Sequence, residues 1–202
     1  TTPSPTGHPL NLRNFSLTPF QRAEDRPDLA ITGTIGRSAD TLSIGYAVEG
    51  NLSVLAVPAA AESPERVDRL WEETCLELFL GVKGSDGYWE LNLSPSGHWN
   101  VYRFTRYREG MREDPAVTSL PFRVHPQPEA LHLSLDLDLG VILPAGRTIE
   151  VGVCAVLRTV AGKVSHWALV HPAARPDFHR RDGFALTLPA TAPPPRGSGT
   201  SP

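Results

Sequence analysis

A tryptophan followed by two glutamates opens the run Trp71-Glu72-Glu73-Thr74-Cys75-Leu76-Glu77-Leu78-Phe79-Leu80. In an extended strand alternate side chains share a face, so Trp71, Glu73, Cys75, Glu77 and Phe79 fall on one side. Leu76, Leu78 and Leu80 fall on the other, which reads as core. The first side mixes aromatic, acidic and apolar groups. A solvated face rarely carries Trp, Cys and Phe, and a core face does not carry two carboxylates. The next run, Tyr88-Trp89-Glu90-Leu91-Asn92-Leu93, repeats the mixture, with Tyr88, Glu90 and Asn92 on one side and Trp89, Leu91 and Leu93 on the other. Antiparallel pairing through a turn at 83–87 makes Glu77 a cross-strand neighbour of Glu90 or Asn92. In the following run Trp99, Val101 and Arg103 share a face, and an arginine reaching over the sheet neutralises acids and donates paired hydrogen bonds. Rings beside Glu, Asn and Arg are what a sugar site requires, the ring packing on the C–H face of a pyranose and the polar groups bonding its hydroxyls. The alternative for the same residues is a buried polar network holding two sheets in register.

Other chemistries find less support. Glu73 and Glu77 on one strand lie about 13 Å apart at ~3.3 Å per residue, whereas glycosidase pairs are about 5–5.5 Å or 6.5–9.5 Å apart. A hydrolase is left with a cross-strand pair such as Glu77 and Glu90. There is no Gly-rich phosphate loop and no G-x-S-x-G elbow. Near the end, Trp167 offers a second aromatic wall, and His171 joins the candidate ligand contacts. His166, His171, Asp177 and His179 match no compact zinc spacing, so no metal site is expected. In LHLSLDLDLG the residues His132, Ser134, Asp136 and Asp138 alternate with leucines, which describes a solvated face over a buried one.

These residues need a scaffold of strands. Leu29–Ile35 and Leu42–Val48 alternate apolar with small or polar residues around a turn at 37–40, the pattern of a hairpin. Leu52–Val57, Leu70–Leu80, Tyr88–Leu93, Trp99–Phe104, Phe122–Val124, Leu131–Leu137, Ile149–Leu157, Val164–Leu169 and Phe184–Leu188 follow. Helical turns are confined to Ser63–Arg69 and Leu137–Leu143. About a dozen short strands without a long helical period predict an all-β fold, a two-sheet antiparallel, jelly-roll-like β-sandwich. The 202 residues suit one domain over 12–189, with Pro/Gly/Ser-rich tails at 1–11 and 190–202 expected to be disordered. A net charge of -3, and an arginine cluster (Arg103, Arg106, Arg108, Arg112) interleaved with acids, argue against nucleic acid as partner. No apolar run approaches the ~20 residues that cross a bilayer. Cys75 and Cys154 fall inside apolar patterns and read as buried free thiols. With neither a basic stretch nor an apolar h-region near residue 1, a cytoplasmic location is expected.

At these residues the sequence resembles the DOMON-like superfamily, which includes the family 9 carbohydrate-binding modules. The blocks that carry the resemblance are LWEETCLELFLG, YWELNLSPSGHWNVYRF, YREGM and HWALVHPAARPDFHRRDGF, within a match running from Phe15 to Phe184. The resemblance implies a curved β-sandwich that binds a sugar or a haem. In family 9 modules two tryptophans sandwich a terminal sugar; Trp71 fits the first position and Trp167 is the candidate for the second, with Glu77, Asn92 and Arg103 as polar partners. The haem alternative needs axial ligands, for which Met111, His171 and His179 are the candidates. The function expected from the whole sequence is non-catalytic recognition of a carbohydrate or similar polar small molecule by Trp71, Glu73, Glu77, Glu90, Asn92, Arg103, Trp167 and His171.

Overall fold

The computed structural model describes residues 12–20 and 27–190; the two expected tails lie outside them, apart from Ala190. Among the described residues twelve strands form one antiparallel sheet: β1 (Arg13–Pro19), β2 (Leu29–Ser38), β3 (Thr41–Gly50), β4 (Cys75–Val82), β5 (Tyr88–Leu93), β6 (Trp99–Phe104), β7 (Arg112–Glu113), β8 (Phe122–Pro126), β9 (Ala130–Asp138), β10 (Ile149–Arg158), β11 (Val164–Ala168) and β12 (Leu186–Leu188). Their order is β7-β6-β5-β4-β10-β11-β1-β2-β3-β9-β8, with β12 beside β10. β1 pairs with β2 in one layer and with β11 in the other, so the sandwich is a single sheet curled over itself. No α-helix occurs among the described residues, and no helix there is long and apolar enough to cross a membrane.

The β2–β3 hairpin forms as its alternation predicts, closing at Ser38↔Thr41 around Ala39 in the left-handed region. Leu52–Val57 departs from expectation. Its first residues form a 3-10 turn capped by the Asn51 side chain, which accepts from the Ser53 amide. The expected helical turn at 63–69 is displaced to Leu70–Glu72.

The main core lies between the layers. Leu76, Leu78 and Leu80 of β4 and Leu91 and Leu93 of β5 share it with Ile31, Ile44, Tyr46, Leu133 and Leu135 of the opposite layer. β4 and β5 are nonetheless buried along both faces. Their outer face carries a second, smaller core in which Phe79, Tyr88, Tyr102, Phe104 and Phe184 pack together, with Trp71 and Phe178 against it. The chain following β6 and β11 covers this face. Glycines make room for the cover: a Cβ on Gly81 would lie 1.6 Å from Arg181 Nη1, and one on Gly152 would lie 3.1 Å from the Phe184 ring. Arg181 is held over Gly81 by the Val82 carbonyl and Glu150.

One hydrogen bond ties the main core to the outer face. The buried Tyr46 hydroxyl of β3 donates to the Glu77 carbonyl of β4 at 2.8 Å. Tyr46→Phe removes that donor at nearly constant shape, and is expected to lower stability by ~1 kcal/mol. The measurement is the urea midpoint, which should fall at an unchanged denaturant slope.

Candidate functional site

Three separate pieces of chain converge over the outer face of β4 and β5. The strands themselves supply Glu77 and Phe79 from β4, Glu90 from β5, Phe104 at the end of β6, Val156 from β10 and His166 from β11. A turn before β4 supplies Trp71. Two covering loops complete the wall with Arg108 and Met111 on one side and Pro176, Phe178 and His179 on the other, enclosing about 350 Å³. That volume lies in the range of small-ligand pockets, roughly 300–1,000 Å³.

Trp71 does not belong to the strand. β4 starts at Cys75, and Trp71 sits in a 3-10 turn that follows Arg69 in the left-handed region at φ 60. Tyr102 of β6 builds this turn, donating its hydroxyl to Asp68 Oδ1 at 2.5 Å and accepting from the Arg69 amide at 3.4 Å. Its ring also meets Trp71 edge-on at 5.5 Å. The half-buried Trp71 thus rests on Tyr102 and turns the rest of its surface to the pocket. Arg108 is also left-handed, at φ 54, in a tight turn closed by Thr105 and Glu109. Non-glycine residues pay a steric cost there, and such positions cluster at ligand sites.

Asp177 clips the two loops together. It accepts from the Tyr107 hydroxyl at 2.6 Å, from Arg108 at 2.9 Å and from the His179 amide at 3.2 Å. Burial pushes its carboxyl up, but the bonds from Tyr107 and Arg108 outweigh this and hold it below the usual range. Tyr88 anchors the clip to the sheet: its hydroxyl meets His179 Nδ1 at 2.9 Å and accepts from the Arg108 amide at 3.1 Å. Burial pushes that phenol up to about 12.

The floor is acidic. Glu77 pairs with Asn92 in register, and Glu90 with Phe79, so the two carboxyls are diagonal neighbours on adjacent strands. Glu77 is 3% exposed, and its Oε1 finds no hydrogen-bond partner among the described residues. Burial, and then the proximity of Glu90, push its carboxyl well above the usual range. Glu90 is pushed up to about 7 by burial, against the opposing effects of a hydrogen bond from Asn92 and the charge of Arg108. His179, 3.8 Å from Glu90, is driven the other way to about 4 by burial and by Arg108. It is therefore neutral at pH 7. Burial raises the thiols of Cys75 and Cys154, and both cysteines are free. Among the described residues no three His, Cys, Asp or Glu side chains form a metal-holding group.

Of the residues singled out in the sequence, Trp71, Glu77 and Glu90 meet in this pocket. Asn92 lies beneath it, fully buried, steering Glu90. The other four are placed elsewhere. Trp167 is 2% exposed and faces the main core, its indole N–H donating to Ser165 at 2.9 Å. β11 alternation gives the outer face to His166 instead. Arg103 lies on the opposite side of β6 from Phe104, over the Trp89 ring at 5.2 Å. Arg108 occupies the place expected of Arg103. Glu73 precedes the strand and pairs outward with Arg158 at 3.3 Å. His171 binds the Thr18 carbonyl at 2.7 Å, beside the Phe20 ring. Phe178, His179, Met111 and Arg108 come from loops, where alternation is silent. Their one signal was density of aromatic, basic and glycine residues in YREGM and FHRRDGF.

No protein-family model matches the sequence, and no curated protein matches it. Solved structures do share its fold. A protein of Bacteroides uniformis, to which carbohydrate binding is ascribed, superposes with a TM-score of 0.64 at 16% identity over 88% of this chain and 86% of that one. A family 9 carbohydrate-binding module of Caldicellulosiruptor kristjanssonii, solved with glucose, superposes with a TM-score of 0.51 at 10% identity over 85% of this chain and 81% of that one. Together they define the class of fold: an antiparallel β-sheet curled as in the family 9 modules.

The raised acid has a consequence for stability. Below about pH 4.5 Glu90 is protonated in both folded and unfolded chains; as pH rises toward about 7, the unfolded chain loses the proton first, and stability is lost. The loss is on the order of 3 kcal/mol. His179 acts in the opposite sense between pH 6.5 and about 4, and cancels when variants are compared at one pH. Glu90→Gln should match the wild type at about pH 3.5 and exceed it at pH 8, as measured by urea denaturation.

Proposed function

We propose that this chain is a non-catalytic carbohydrate-binding protein whose site is the pocket between Trp71 and the Asp177-clipped loops. The observation that carries this reading is Glu77: a buried carboxyl oxygen without a partner, at the floor of a pocket walled by Trp71, Phe79, Phe104 and Phe178. An unsatisfied buried acceptor costs stability, about 1–3 kcal/mol or more. A ligand hydroxyl donating to it removes that cost, and apolar ring surface accepts the C–H face of a sugar. The blocks that resemble DOMON-like proteins contain most of these residues, in support of membership of that superfamily. The fold shared with a module solved in complex with glucose points the same way.

Hydrolysis would demand more of the same pair. A glycosidase needs one ionised carboxylate beside one acid. Here burial raises both Glu77 and Glu90, and only Glu90 has a hydrogen bond, from Asn92, and a nearby cation, Arg108, to oppose that rise. Binding requires only that they accept or donate hydrogen bonds.

Calorimetric titration with a panel of mono- and disaccharides tests the reading. The wild type is expected to bind at least one, with Trp71→Ala weakening it about tenfold or more, the equivalent of ~1.4 kcal/mol. Unchanged affinity in Trp71→Ala, or no sugar bound by a folded wild type, would overturn the assignment.

A further inference from the structure

We propose that the sugar this pocket takes is a basic one, carrying a free ammonium group that seats between Glu77 and Glu90; the inference rests on the carbohydrate reading. Charge balance in the pocket favours such a group. Glu77 is flanked on β4 by Cys75 and Phe79, faces Glu90 and Asn92 of β5, and borders Cys154 of β10. β11 contributes His166, and the loops contribute Arg108 and His179. Arg108 is the one guanidinium in this set, and it is bonded to Asp177 at 2.9 Å. Neither histidine is pushed toward its charged form. Burial and Arg108 keep His179 neutral, while burial and His171 lower His166. Among the described residues, therefore, two acids share the floor without a cation of their own.

A neutral sugar hydroxyl donates one hydrogen bond and leaves that charge balance as it was. An ammonium group donates three and brings a positive charge that can stand opposite an ionised carboxylate, and hydrogen bonds between ionised partners are roughly twice as strong as neutral ones. The walls suit it as well, since aromatic rings attract a desolvated cation within about 6 Å. Seating the ammonium ionises its carboxyl partner: one O–H bond breaks, the electron pair stays on the oxygen, and the proton leaves to solvent. Binding must therefore release protons at neutral pH, and weaken as pH falls.

The test is calorimetry at pH 7 with glucosamine, glucose and N-acetylglucosamine, each in phosphate and in Tris so that buffer ionisation reports protons released. Glucosamine is expected to bind about tenfold or more tighter than either neutral sugar, with net proton release, and Glu77→Gln to abolish both the preference and the release. Neutral sugars binding as tightly as glucosamine, without proton release, would overturn this inference and leave the carbohydrate reading standing. Ethanolamine binding with no sugar bound would overturn both, and so would the failure of all probes. Because proton release is read on the wild type, the test does not depend on the folding of a variant.

Discussion

β4 is buried along its whole length on both faces, and the molecule is arranged around that constraint. One face delivers Leu76, Leu78 and Leu80 to the main core, where hydrophobic burial stabilises the curled sheet. The other face cannot be left to water, because it carries Phe79 beside Phe104 and Tyr88. Nor can it be closed over completely, because it also carries Glu77. The covering loops resolve the conflict by packing aromatic rings on the apolar part and standing back from the acidic part. What remains between them is the pocket.

The loops are fixed to the sheet by a small number of polar contacts of high leverage. Asp177 joins Tyr107, Arg108 and His179, and Tyr88 joins that cluster to β5. On the far side Tyr102 fixes the turn that presents Trp71. Both tyrosines stand on the same outer face as the glutamates. The pocket floor and its supporting contacts are thus built on adjacent strands, which hold side chains more firmly than loops alone. Left-handed backbone at Arg69 and Arg108 marks the two places where chain geometry yields to that positioning.

Much of the fold was legible in the residues. Alternation located most of the strands and the hairpin at Ala39, and it sorted β4 and β5 into a leucine face and an acidic, aromatic face. The register expected across the 83–87 turn brings Glu77 against Asn92 and near Glu90, as the strands show. Alternation failed where the backbone stopped being extended. Extrapolated backward through Thr74 it put Trp71 and Glu73 on β4, yet a 3-10 turn intervenes, and the two residues point to different surroundings.

By itself, then, the sequence determined which side chains of each strand share a face, because the pleat makes that a local property of period two. It therefore identified an acidic, aromatic surface containing Glu77, Glu90 and Asn92. Which face of a strand points to which layer is a long-range matter. Trp167 and Arg103 look like site residues by type, but the curl of the sheet turns Trp167 into the main core and sets Arg103 against Trp89. Arg108, Phe178 and His179 reach the pocket from loops outside the strands that carry Glu77 and Glu90. Only the tertiary structure decided their placement, because it depends on contacts such as Asp177 with Arg108 that no local pattern encodes.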